Sequence, residues 1–127
     1  MRQIKFRAWD GEKMVEVAEL HLNTKEILVD DEAWLSMRHS PLMQYTGQKD
    51  NNGREIYEDD IVRVVGVTEP GMKWVVTWAN ASWELHHVLG EEYMIPMRLS
   101  TMSVPIEVIG NIYENPELME VAEHDAD

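Results

Sequence analysis

Apolar and polar side chains alternate with a period of two along most of the chain, and turn-forming residues break the pattern at short intervals. Successive side chains on a strand point to opposite faces, so this pattern predicts short strands with one face buried. Ile4, Phe6 and Ala8 alternate with Lys5, Arg7 and Trp9. The run stops at Asp10-Gly11, a pair that tolerates the positive φ of a tight turn. Met14 to Val17 reads as the returning strand of a hairpin, Leu20 and Leu22 as a third strand, and Ile27 to Val29 as a fourth after the turn at Asn23-Thr24-Lys25. Asp30-Asp31-Glu32 is a helix entrance, which predicts one helical turn over Ala33-Trp34-Leu35.

Pro41 precedes a short strand, Leu42 to Tyr45, and Asp50-Asn51-Asn52-Gly53 is the clearest turn in the chain. Ile61 to Val67 is a β-branched run, hence a mostly buried strand. Glu69 to Met72 and Gly90-Glu91-Glu92 read as turns. Met72, Trp74, Val76 and Trp78 share one face of the next strand, and Asn80-Ala81-Ser82 joins it to a strand running from Trp83 to Leu89. Tyr93 to Met97 and Val104 to Tyr113 are further strands, with Pro96 and Pro105 at edges or starts because proline cannot donate to a ladder. Asn115-Pro116-Glu117 predicts a short final helix with Asn115 as cap, docked by Leu118, Met119 and Ala122. The expected architecture is one mostly-β domain over 1–127: an N-terminal β-hairpin region over 1–40, a small SH3-like antiparallel barrel over 42–113, and a short helix with an acidic tail over 114–127.

With 127 residues, the chain can bury a real core without staples. It has no cysteine, which excludes disulfides, a thiol nucleophile and thiolate-bound zinc, and fits a reducing compartment. No apolar run follows the basic N-terminus, and none approaches the roughly 18 residues of a membrane span, so a soluble protein without an export signal is expected. The net charge of −13 disfavours nucleic acid and favours basic partners. That charge is uneven. Residues 1–13 carry Arg2, Lys5, Arg7 and Lys13 against Asp10 and Glu12, whereas 114–127 carry six carboxylates and no Lys or Arg.

Few constellations suggest chemistry. Asp50 opens a stretch with a faint calcium-loop look, but the twelfth position holds Ile61 where a bidentate Glu is required. His86 and His87 are adjacent on a strand, so they point to opposite faces, and His86 shares its face with Glu84. Glu58, Asp59 and Asp60 cluster beside Tyr57, without a neighbouring His or Lys to form an acid–base pair. Phosphate-loop, nucleophile-elbow and metalloprotease motifs are absent. The expectation is therefore no enzyme, no catalytic residue, no metal and no cofactor. Trp74, Trp78 and Trp83 fit either a packed core or an exposed aromatic platform for bases or a peptide.

Three blocks carry a resemblance. They are Lys5-Phe6-Arg7-Ala8-Trp9-Asp10 followed by Met14; Tyr45-Thr46-Gly47 with Lys49-Asp50, Gly53 to Glu58 and Asp60-Ile61-Val62; and Glu107 to Leu118. Together, and in this order, they resemble the YopX family of small phage and prophage proteins. One position departs: Asp59 stands where the family usually has Gly, which marks a positive-φ site that Asp can also occupy. The resemblance implies phage or prophage origin, a bacterial cytoplasm and a mostly-β fold; it implies no activity and brings no site residue. From the residues themselves, Asp60 is expected at the mouth of a strand, binding backbone N–H groups of the loop before it. Gly47, Gly53 and Gly110 read as turn, bulge or close-approach positions. Tyr45, Tyr57 and Tyr113 are expected to pack with their hydroxyls at the rim.

The leading functional expectation is a non-enzymatic accessory protein that binds an unknown host or phage protein through its β surface. Alternatives are an acidic decoy that mimics DNA and occupies a host DNA-binding protein, and a weak nucleic-acid binder using the basic first strand and the tryptophans. Exposed strand edges and Met-rich segments allow self-association.

Overall fold

The computed structural model describes residues 3–30, 32–66, 72–88, 96–102 and 105–120. Among the described residues, eleven antiparallel strands form two sheets. The first contains β1 (Phe6–Trp9), β2 (Met14–His21), β3 (Glu26–Val29), β4 (Trp34–Ser36), β5 (Leu42–Lys49) and β6 (Glu55–Tyr57), in the order β4-β3-β2-β1-β5-β6. The second contains β7 (Asp60–Val64), β8 (Trp74–Ala79), β9 (Ser82–His87), β10 (Met97–Arg98) and β11 (Ile106–Asn111), in the order β10-β9-β8-β7-β11. Among the described residues, no helix is long and apolar enough to cross a membrane.

The mostly-β architecture matches the alternation, with four corrections. The expected SH3-like barrel over 42–113 is not closed: β5 and β6 belong to the first sheet, so the sheets divide between Tyr57 and Asp60. The second sheet stays open because β10 and β11 lie at its opposite edges. Met14 to His21 is one strand, since a bulge between Val17 and Glu19 shifts the alternation and makes Leu20 look like a new start. Residues Trp34–Ser36 are a strand instead of a helical turn, because they complete a ladder along β3. The final helix is a single 3-10 turn, Pro116–Met119; Asn115 precedes it but does not cap it, and instead accepts the Asn111 N–H at 3.1 Å. A Cβ at Gly110 would collide with that Asn115 side chain, a close-approach role for the glycine. The predicted turns at 69–72 and 90–92, and most of the strand at 93–97, lie wholly or partly outside the described residues, as do Ala122 and the acidic tail beyond Glu120.

Each sheet has its own apolar cluster. Ala8, Val15, Ile27 and Val29 form the first, with Leu35, Met37 and Leu42 packed against it. Val62, Val64, Trp74, Val76, Leu85, Leu99, Ile106 and Val108 form the second, joined by Ile56 from β6 of the other sheet.

Two buried carboxylates fasten the sheets to each other. Asp60 is 2% exposed; its Oδ2 accepts the Tyr57 N–H at 2.7 Å and its Oδ1 accepts from Arg7 Nη2 at 2.7 Å. This is the expected strand-mouth role, with a cation added from β1. Burial pushes the Asp60 carboxyl up from its ordinary value, and the Arg7 guanidinium and the Tyr57 N–H oppose that push. Arg7 also lies over the Tyr57 ring, 4.6 Å from its centroid. Asp50 is the second fastener. Its Oδ1 accepts the N–H groups of Asn52 and Arg54, which close the β5–β6 turn, and its Oδ2 accepts the Val108 N–H of β11 at 2.9 Å. The Asn51 N–H donates to the Ile106 carbonyl and the Arg54 guanidinium to the Val108 carbonyl. The free edge of β11 is thereby covered by the turn, which removes a template for unwanted strand pairing.

Breaking one side of a buried ion pair leaves an uncompensated charge, at a cost of about 3–5 kcal/mol. Asp60→Asn keeps an acceptor for the Tyr57 N–H but strands the Arg7 charge, so urea unfolding is expected to register a loss of that order. Arg7→Met/Asp60→Asn removes the stranded charge and keeps a sulfur against the Tyr57 ring; it is expected to be more stable than Asp60→Asn alone. A double variant that merely sums the two single losses contradicts the ion-pair account.

Candidate cleft at the Trp78–Trp83 hairpin

The β8–β9 hairpin turns on two residues, Asn80 and Ala81, with φ of 51° and 62°. Positive φ at both positions is the type I′ geometry that matches the twist of a hairpin. The register that follows sets Trp78 opposite Trp83, with ring centroids 5.0 Å apart and planes at 69°. The three tryptophans thus divide between the two expected roles. Trp74 is 3% exposed in the second core, with the His87 ring on its edge, whereas Trp78 is 54% exposed at the hairpin end and Trp83 is half-buried.

The turn between β6 and β7 faces this pair. It consists of Glu58 and Asp59, with Asp59 at φ 70°, the positive-φ conformation expected where Gly is usual. The Glu58 N–H donates to the Gln44 carbonyl at 3.0 Å, and the Gln44 N–H reaches Glu58 Oε1 at a long 3.5 Å. Gln44, Glu58, Trp78 and Trp83 line a cleft of about 320 Å³. Ligand pockets run from about 300 to 1,000 Å³, so this one is sized for a side chain or a small group.

Burial raises the Glu58 carboxyl above its ordinary value, the Asp59 charge raises it further, and the Gln44 N–H opposes both. Burial also raises Asp59, opposed by the Tyr113 hydroxyl and by Arg7. Tyr113 in turn is pushed up to about 12 by burial and by the Asp59 charge, so its neutral hydroxyl donates to Asp59 Oδ2 at 3.2 Å. The Tyr113 ring stacks on Trp9, 5.9 Å away, which ties this turn back to β1. The Tyr57 hydroxyl meets Glu55 at 3.4 Å, while its ring packs against Tyr45.

The other sequence candidates are engaged elsewhere in the fold. Asp50 spends both carboxylate oxygens on backbone N–H groups, as a turn residue does. His86 shares a face with Glu84 and meets it at 2.9 Å, while His87 packs against Trp74. Among the described residues, no three His, Cys, Asp or Glu side chains gather to hold a metal ion. The basic first strand is committed as well: Lys5 pairs with Glu55 at 2.8 Å and Arg7 with Asp60. What the sequence did not reveal is that Glu58 faces the tryptophan pair, since twenty residues separate Glu58 from Trp78 and only the folded sheets bring them together.

A carboxyl raised in the folded state costs stability where it is ionised, and the cost disappears as pH falls through its folded value and then through its unfolded one. Asp59→Asn keeps the Tyr113 bond and tolerates positive φ but carries no charge. It is expected to be more stable than the parent at pH 7, by a margin that shrinks on acidification and vanishes below the ordinary value of 3.8. Chemical denaturation of both proteins across that range checks it; a margin that grows on acidification reverses the assigned sign.

The sequence profile of the YopX protein family matches residues 5–120. Among solved structures, the protein EF1440 from Enterococcus faecalis is similar at a TM-score of 0.69 and 25% identity, over 94% of this chain and 100% of that one. The protein yopX from Bacillus subtilis is similar at a TM-score of 0.60 and 22% identity, over 96% of this chain and 99% of that one. No curated protein matches the chain. With the profile covering all the described strands, the chain belongs to the YopX family.

Proposed function

We propose that this protein is a non-enzymatic binding module, an accessory protein of phage or prophage working in the bacterial cytoplasm, whose task is to hold another protein at the Trp78–Trp83 hairpin. The observation that carries this is Trp78. A tryptophan 54% exposed beside a second one, at the mouth of a cleft, is the kind of anchor that protein interfaces use. Two of the three carboxylates that could have served acid–base chemistry are spent, Asp60 on the Tyr57 N–H and Arg7 and Asp59 on the Tyr113 hydroxyl, and the third, Glu58, shares its cleft with Gln44, Trp78 and Trp83. Two cations that a nucleic-acid binder would draw on, Lys5 and Arg7, are paired with Glu55 and Asp60, which favours the protein-binding reading.

The test is site-specific photocrosslinking in bacteria expressing the full chain. A benzophenone side chain replaces Trp78 in one protein and the exposed Asn52 in another. The expected result is a discrete protein adduct at position 78 that position 52 does not give. Equal adducts at both positions, or none at position 78, overturn the proposal.

A further inference from the structure

The cleft has a wall of one chemical kind and a floor of another. Trp78 and Trp83 meet edge to face, and such a pair leaves ring faces unspent, each carrying the negative side of the aromatic quadrupole. Opposite them is the Glu58 carboxylate, half-buried, with the Asp59 charge next to it, while Arg7 reaches only the Glu58 carbonyl, at 3.4 Å. Gln44 adds an amide able to accept or donate. Aromatic faces and a partly desolvated carboxylate are both attracted to the same thing, a cation with a flat or apolar stem. From the cleft's composition we infer that it receives an arginine side chain from a basic segment of another protein. This rests on the binding-module reading and names the chemistry of the partner.

Arginine suits the site better than lysine does. Its planar guanidinium stacks on an indole face while its N–H fork meets a carboxylate, whereas an ammonium is a compact, strongly hydrated point charge. Charge complementarity extends beyond the cleft, since a chain of net −13 draws basic segments from a distance. The volume also suffices, because about 320 Å³ is more than one long side chain occupies. The other exposed tryptophan, Trp34, lacks this setting: it is 53% exposed, and its ring meets His21 at 5.1 Å on the outermost strand β4. It therefore serves as an internal control for unspecific stacking.

The test is a titration of the ¹⁵N-labelled full chain, read at the indole N–H resonances. The probes are acetyl-Gly-Arg-Gly-amide, its lysine counterpart and its citrulline counterpart, which is nearly isosteric with arginine but uncharged. The expected result is a saturable shift at Trp78 and Trp83 with the arginine peptide, a weaker one with lysine, and neither at Trp34. Glu58→Gln is expected to weaken arginine binding by about fivefold or more, as loss of a charge-assisted hydrogen bond implies, while the backbone resonances of β7 to β9 stay in place. Equal response to citrulline, equal response at Trp34, or an unaltered affinity in Glu58→Gln overturns the inference. So does a Trp78 shift that follows protein concentration without peptide, because then a second copy fills the cleft. The two proposals fail separately: an adduct at position 78, with no response of Trp78 or Trp83 to the arginine peptide in the unsubstituted chain, leaves the binding module standing without the arginine site.

Discussion

The Asp60 carboxylate, sealed between Arg7 and the Tyr57 N–H, is the contact on which the arrangement of the two sheets depends. One oxygen holds the end of β6 and the other holds a side chain of β1, while Asp60 itself begins β7. A single residue thus fixes where the first sheet stops and the second begins. Charge buried this deeply is costly to dehydrate, and it persists because both oxygens are matched. Asp50 repeats the device at the other end of the same hairpin, where it is held below its ordinary value because three N–H groups outweigh the burial that would raise it.

The seam also positions the cleft. Glu58 and Asp59 form the short link between Tyr57 and Asp60, so whatever holds those two residues holds the link. The Asp59 N–H donates to the Val76 carbonyl of β8, and Ile112 donates to the Asp59 carbonyl, which locks the link against both neighbouring strands. Glu58 is thereby turned toward the β8–β9 hairpin, whose type I′ turn sets the tryptophans in place. Two positions apart, the carboxylates have different surroundings: Asp60 faces inward and is paired, and Glu58 faces the cleft.

Much of the fold was legible because alternation reports burial directly. Ala8, Val15, Ile27, Val62 and Val76 are buried as their spacing implied. The strand-mouth role of Asp60 was legible from local backbone chemistry, and the positive φ of Asp59 from the glycine that the family usually carries there. The three family blocks prove to be the parts that meet at the seam: Arg7 and Trp9 from the first, Asp50, Arg54 and Asp60 from the second, Val108 and Tyr113 from the third. What stayed hidden was long-range. A period of two does not say which strand pairs with which, so the placement of β5 and β6 in the first sheet, and hence the absence of a closed barrel, could not be read locally. A bulge at Val17 to Glu19 disguised one strand as two, and the Trp34 ladder overrode a helix-start signal. The cleft was hidden for the same reason, as its residues come from β5, the β6–β7 link and the β8–β9 hairpin.

Native-state hydrogen exchange at two amides tests the central claim most directly. If Asp60 and Asp50 fasten the sheets into one cooperative unit, the Tyr57 and Val108 N–H groups exchange only on global opening, with the same free energy as the amides of the central strand β8. Exchange of these two amides at much lower free energy, while β8 stays protected, would mean that the sheets part without unfolding and that the carboxylates do not hold them together.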